Sequence, residues 1–172
     1  MKLDKILFSN LGVGNVGSII AFLILNTAIQ AQNTAVEKPV LPNFRFFTAK
    51  DSVLKTNQNL AADKPILFFY FSTKCEYCYG MVKELTNSGT AFKDVNVVLV
   101  SGHKRVNILK FTEGLPPQYF LLKDDEKQMH NYFDYTAVPM LRLYDKNGKL
   151  LHRQEGKMAV KDILAILNAP QK

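Results

Sequence analysis

The sequence predicts an α/β domain, and two observations support that prediction. Segments with the apolar pattern of buried strands alternate with segments whose apolar residues recur at helical spacing. The apolar run from Ile66 to Phe71 leads almost directly into Cys75-Glu76-Tyr77-Cys78, which holds the only 2 cysteines of the 172-residue chain. A strand that delivers two thiols to the start of the next element is the arrangement of a dithiol redox site.

The elements follow from the apolar pattern and from turn residues. Strands are expected at Phe44 to Thr48 (as an edge strand or a short hairpin), Ile66 to Phe71, Val95 to Val100, Tyr119 to Leu122, Met140 to Tyr144 and Leu150 to Gln154. Helices are expected after the cysteines (Met81, Val82 and Leu85, ending at Asn87-Ser88-Gly89), around Val106 to Phe111, from Asp124 to Phe133, and at Val160 to Leu167. The last two strands flank Asn147-Gly148, which predicts a tight hairpin with positive φ at both residues.

The first 31 residues are predicted to be an export signal or a membrane anchor. Lys2 and Lys5 precede an apolar stretch, as in a secretory signal. The sequence Ile29-Gln30-Ala31 resembles a signal cleavage site, so cleavage after Ala31 is favoured. Residues 11–29 are also just long enough to span a bilayer, and this alternative stays open. Residues 32–42 read as a linker and residues 43–172 as the domain. Both alternatives place the cysteines outside the cytoplasm.

The net charge does not indicate nucleic-acid binding. The chain has 22 basic and 15 acidic residues and a formal charge of +7, but Lys and Arg are scattered without a stripe or an arm. We therefore expect a solvated basic surface and no nucleic-acid partner.

The cysteine spacing suits disulfide exchange better than two other roles. Two intervening residues in a first helical turn bring both sulfurs within disulfide reach, and the free N–H groups of that turn favour a thiolate at Cys75. A zinc site would need a second pair, and His103, His130 and His152 lack ligand spacing. A static bridge across so short a loop would stabilise the fold weakly. No metal and no cofactor beyond the redox-active Cys75–Cys78 disulfide are expected.

The order of parts resembles thioredoxin, and more closely its exported TlpA/ResA-like branch. The features that carry the resemblance are the strand before the cysteine motif, the Val138-Pro139 step, the hairpin at Asp145 to Gly148 and the last helix, within about Pro42 to Leu167. The resemblance implies a thioredoxin-like fold: a central mixed β-sheet flanked by helices, with an insertion, from His103 to Tyr135, before the cis-proline strand.

The resemblance also implies site residues. In that family a proline in the position of Pro139 follows a cis peptide bond and faces the disulfide, which would leave the Val138 backbone free to pair with an extended substrate segment. Tyr77 is expected to form part of the substrate rim. Cys75 would be the attacking thiolate, and Cys78 would resolve the mixed disulfide.

Three positions depart from the family pattern. Lys74 stands where thioredoxins usually have Trp, Phe69 replaces a buried aspartate, and Met81 replaces the glutamate of ResA-like proteins. An acid near the inner thiol can accept the proton of that thiol, and this chain lacks both of the acids found in relatives. The identity of the general base therefore stays open between Glu76 and Glu84, and both side chains are expected to face solvent.

These observations predict an exported thiol-disulfide oxidoreductase that exchanges disulfides with client proteins. It is expected to act as a reductant that receives its electrons from an upstream, membrane-bound donor. The protein itself would contact the membrane only through an uncleaved N-terminal segment. The alternative is a non-catalytic binding module that holds a partner protein or a metal in the same groove. A peroxiredoxin-type peroxidase is disfavoured because its nucleophile sits in a different local pattern.

Overall fold

The computed structural model describes residues 40–170. The predicted export segment and residues 32–39 of the predicted linker lie outside this range, so cleavage and anchoring stay predictions. In the described range no helix is both long and apolar enough to cross a bilayer.

A single mixed sheet organises the domain and confirms the predicted fold class. Its strands are β1 (Arg45–Thr48), β2 (Leu54–Thr56), β3 (Ile66–Tyr70), β4 (Asn96–Ser101), β5 (Phe120–Lys123), β6 (Met140–Tyr144) and β7 (Leu150–Glu155), in the order β2-β1-β5-β4-β3-β6-β7. The helices are α1 (Glu76–Asn87), α2 (Arg105–Phe111), α3 (Gln128–Tyr132) and α4 (Val160–Leu167). Strands β3, β4 and β5 run parallel, and every other pairing is antiparallel. Of the two alternatives for the first strand, the short hairpin is correct, with β2 at the edge.

Strand β3 is an interior strand of the sheet, and helices and loops cover both of its faces. All of its residues are buried, and alternate side chains enter two apolar clusters. Leu67 and Phe69 pack with α1 and α4 on one face, while Phe68 and Tyr70 pack on the other. A continuous apolar run is the pattern of such a strand.

The register brings the site together at one edge of the sheet. Tyr70, at the end of β3, lies opposite Val100 of β4 and Met140 of β6. Three segments therefore meet at that edge: those that follow β3 and β4, and the one that precedes β6. Ligands bind at the corresponding edge in open α/β sheets.

The hairpin between β6 and β7 was predicted correctly, but its turn was not. Only Gly148 has positive φ, at 78°, and Asn147 does not. The Asp145 carboxylate accepts hydrogen bonds from the N–H groups of Asn147 and Lys149, both at 2.8 Å, and the Asp145 carbonyl accepts one from the Gly148 N–H at 3.0 Å. This side chain favours an ordinary turn completed by one left-handed glycine over the two-residue turn.

The helix predicted from Asp124 to Phe133 is shorter than expected, covering only Gln128–Tyr132. Lys127 has φ of 53°, which interrupts a right-handed helix at that point. The Asp124 carboxylate accepts hydrogen bonds from the N–H groups of Gln128 and Met129, at 2.7 and 3.1 Å, and so begins the helix there. Burial raises the pKa of Asp124, although these two hydrogen bonds oppose the shift.

Candidate active site

The two cysteines begin helix α1 and form a disulfide, with Cα atoms 5.2 Å apart. Cys75 is the N-cap residue of α1, and its Sγ accepts a hydrogen bond from the Cys78 N–H at 3.1 Å. Cys75 is half-buried, whereas Cys78 is fully buried. Solvent and a partner molecule can therefore reach only the first sulfur readily.

The loop before Cys75 is held by an imidazole from the end of β4. His103 Nε2 lies 3.0 Å from Ser72 Oγ, and its Nδ1 lies 3.0 Å from Thr73 Oγ1. Ser72 Oγ also accepts the Lys74 N–H at 3.2 Å, and the Cys75 N–H donates to the Ser72 carbonyl at 3.2 Å. One side chain thus fixes two consecutive residues of the loop that presents the outer cysteine.

A second loop brings backbone to the sulfur from the other side. The Val138–Pro139 peptide bond is cis, Pro139 is buried, and the Val138 carbonyl oxygen lies 3.6 Å from Cys75 Sγ. The structure therefore brings Cys75, Cys78, Val138 and Pro139 together, and the roles expected for these four residues stay predictions.

Glu155, at the end of β7, anchors that second loop. Its Oε2 accepts hydrogen bonds from the Thr136 N–H at 3.0 Å, the Thr136 hydroxyl at 2.9 Å and the Ala137 N–H at 3.1 Å. Burial raises the pKa of Glu155, but the hydrogen bonds from Thr136 and Ala137 together lower it below its usual value of 4.5.

The surroundings of Cys78 are apolar. Phe69 and Met81, two of the positions at which the sequence departs from the family pattern it resembles, are 0% and 1% exposed and belong to the same cluster as Cys78. An apolar environment favours the neutral thiol over the thiolate. Of the two candidate bases, Glu76 is exposed and the Glu84 carboxylate pairs with Lys157 at 2.9 Å.

Tyr77 lies apart from these contacts. It is 69% exposed on the first turn of α1, and no ring contact joins it to any other residue in the described part of the chain. Its place in the substrate rim stays a prediction.

A cavity of about 360 Å³ opens beside Val138, between the two loops. Its lining includes Ser72, His103, His130 and the phenol groups of Tyr70 and Tyr135. Burial raises the pKa of Tyr70, and the nearby Tyr135 adds to this, so the phenol stays neutral. Within residues 40–170 no three metal-ligating side chains come together, here or elsewhere.

Sequence reasoning missed His103 and Glu155 as parts of the site. His103 had one usable signal, because it follows a buried parallel strand at the edge where the cysteines lie. Glu155 had none, since its contact with Thr136 depends on the register of β7 against β6.

Solved structures similar to this chain share its fold. MTB DsbF has 19% sequence identity and a TM-score of 0.65, over 75% of this chain and 98% of that one. A secreted Mycobacterium tuberculosis disulfide oxidoreductase homologous to E. coli DsbE has 15% identity and a TM-score of 0.62, over 74% and 96%. The Plasmodium vivax 2-Cys peroxiredoxin has 19% identity and a TM-score of 0.63, over 79% and 96%. At these identities the likeness shows the fold alone.

Sequence comparison gives the family. No curated protein matches the chain. Residues 54–171, well over half of the chain, match the model of the thioredoxin-like domain. This segment contains the cysteine pair, the loop fixed by His103 and the loop at Val138, and the match shows that the chain belongs to the thioredoxin-like domain family.

Proposed function

We propose that this protein is an exported thiol-disulfide oxidoreductase that reduces disulfides of client proteins through Cys75 and Cys78. The observation that supports this most strongly is the asymmetry of the pair, with Cys75 half-exposed at the helix N-terminus and Cys78 buried behind it. Exchange needs one sulfur that a client can reach and one that only the first can reach.

The proposed reaction transfers two electrons to the client. The Cys75 thiolate attacks one sulfur of the client disulfide, a Cys75–client bond forms, and the other client sulfur leaves as a thiolate that takes up a proton. Cys78 then loses its proton and attacks Cys75 Sγ, which closes the Cys75–Cys78 disulfide and releases the second client sulfur as a thiol. An upstream thiol or membrane-bound electron donor returns two electrons to the disulfide.

The client segment would lie along the loop that contains Val138. The Val138 carbonyl is 3.6 Å from Cys75 Sγ, so an extended peptide that pairs with this backbone would bring its own sulfur close to Cys75. Tyr77, exposed on the first turn of α1, would border the same groove. In residues 40–170, Cys78 lies in an apolar cluster and the Glu84 carboxylate pairs with Lys157, so we propose that water or the departing client thiolate accepts the proton of Cys78.

The direction of electron flow rests on two considerations. The cation of Lys74 and the helix N-terminus favour a thiolate at Cys75, while Glu76 opposes this, and both side chains are exposed, so the net electrostatic effect is small. The TlpA/ResA-like resemblance then favours a reductant, with a potential nearer to about −270 mV than to about −120 mV. The predicted export segment favours an envelope compartment.

Cysteine variants test the proposal. Cys78→Ser should accumulate mixed disulfides with clients on non-reducing gels, because no resolving thiol remains, and Cys75→Ser should form none. If neither variant differed from the wild type in a thiol-exchange assay, catalysis would be excluded and a binding role favoured. Equilibration with glutathione followed by thiol alkylation measures the potential, and a value near −120 mV would overturn the reductant assignment only.

A further inference from the structure

A basic cleft lies beside the outer cysteine, between the start of α1 and the end of α2. We call it the lysine cleft. Its volume is about 470 Å³, and its lining includes Lys74, Tyr79, Lys83, Lys110, Phe111 and Glu113. Since Lys74 directly precedes Cys75, a molecule in this cleft would lie next to the reacting sulfur.

The cleft has a rigid aromatic floor. Phe111 stacks on Phe71 with ring centroids 5.3 Å apart, and the Tyr79 ring meets Phe111 edge-on at 5.4 Å. Phe71 directly follows β3 and is fully buried. These contacts join the floor to the strand that leads to the cysteines, so the position of the cleft relative to Cys75 is fixed.

The rim of the cleft carries an excess of positive charge. Three lysines face one carboxylate, that of Glu113. Across residues 40–170, no ion pair involves Lys74, Lys83 or Lys110, and Lys83 only lies over the Tyr79 ring at 5.3 Å. These cations are therefore available to an anionic partner.

We propose that the lysine cleft binds an acidic segment of the client polypeptide, next to the client cysteine that reacts with Cys75. This inference rests on the proposed function and names the class of client. Charge complementarity favours carboxylate side chains, and the aromatic floor suits the apolar stem of a glutamate. Rim charges of this kind act mainly on the rate of association and weaken with salt.

The test uses a pair of disulfide-linked peptides that differ only in having Glu or Gln beside the cysteine. The reduced full-length protein should reduce the Glu peptide about 3- to 10-fold faster at low ionic strength, because each exposed ion pair changes a rate by roughly 1.4- to 5-fold. The preference should fade at high salt. The combined variant Lys83→Gln and Lys110→Gln should lose it, and the rate with a small uncharged disulfide should stay unchanged. Lys74 is left intact because it also affects the Cys75 thiolate.

A matched variant separates the cleft from the general basic charge. Lys146→Gln combined with Lys149→Gln removes the same charge from the β6–β7 turn, at the opposite end of β6 from the cysteines, and should keep the preference. Equal rates for both peptides, or equal loss in both double variants, would overturn the proposal. If inorganic phosphate inhibited the wild type but not the Lys83→Gln and Lys110→Gln variant, the cleft would be a site for a small anion. That result would also overturn the proposal. No reaction with the uncharged disulfide would instead refute the proposed function.

Discussion

Replacing Glu155 by alanine should loosen the loop that places the Val138 carbonyl beside Cys75. The Glu155 carboxylate accepts three hydrogen bonds, from the Thr136 N–H, the Thr136 hydroxyl and the Ala137 N–H. Each such bond contributes about 0.5–1.5 kcal/mol net. The carboxylate is partly exposed, and the freed donors would bind water, so we expect the lower part of the summed range. The free energy of unfolding should fall by about 1.5–2.5 kcal/mol at neutral pH.

The dependence on pH tests the cause. The pKa of Glu155 is lowered in the folded state, so its contribution is present above its usual value of 4.5 and disappears as the pH falls through the lower folded value. Denaturant unfolding of wild type and Glu155→Ala should therefore differ at pH 7 and converge in acid. Asp63→Asn is the control, because the Asp63 side chain is exposed and makes no hydrogen bond in the described range. Equal stability at pH 7, or a difference that does not change with pH, would refute the reasoning.

Two further substitutions test other contacts. His103→Ala removes both hydrogen bonds to the loop before Cys75, each contributing about 0.5–1.5 kcal/mol, so peptide disulfides should be reduced roughly 2- to 10-fold more slowly at a temperature where the variant is fully folded; an unchanged rate would contradict the positioning role. Asn96→Ala leaves the Ala61 N–H and the carbonyls of Ala61 and Lys64 without a side-chain partner, so denaturant unfolding should show a loss of about 2–3 kcal/mol; a loss below about 0.5 kcal/mol would show that water replaces these bonds.

The parts of the structure that depend on short stretches of sequence were predicted well. The apolar run at Ile66 became the fully buried β3, and the stripe of Met81, Val82 and Leu85 became the buried face of α1. Gly148 marked the hairpin correctly, but the carboxylate of Asp145 selected a different turn from the one that Asn-Gly usually forms. A hydrogen bond from a single side chain was enough to change the local geometry.

The site was predictable only where its residues are adjacent in sequence or carried by the family resemblance. Cys75 and Cys78 were evident from their spacing, and Val138 with Pro139 from the resemblance. His103 reaches Ser72 across 31 residues, and Glu155 reaches Thr136 across 19, so both contacts depend on strand register. The sequence pattern places His103 at the correct end of the sheet, but it does not say which side chains the register brings into contact.

The N-cap role of Cys75 links the redox state of the protein to its folding stability. The Cys75 sulfur accepts the Cys78 N–H, and a thiolate accepts such a bond better than a disulfide sulfur does. Folding and reduction form a thermodynamic cycle. The oxidised and reduced proteins therefore differ in folding stability by the same free energy by which the reduction potential of the Cys75–Cys78 couple differs between the folded and unfolded chains. The conversion is about 1.4 kcal/mol for each 30 mV. The cap alone would make the reduced protein the more stable form. The reductant proposed above would need the opposite order, in which other contacts of the closed disulfide outweigh the cap.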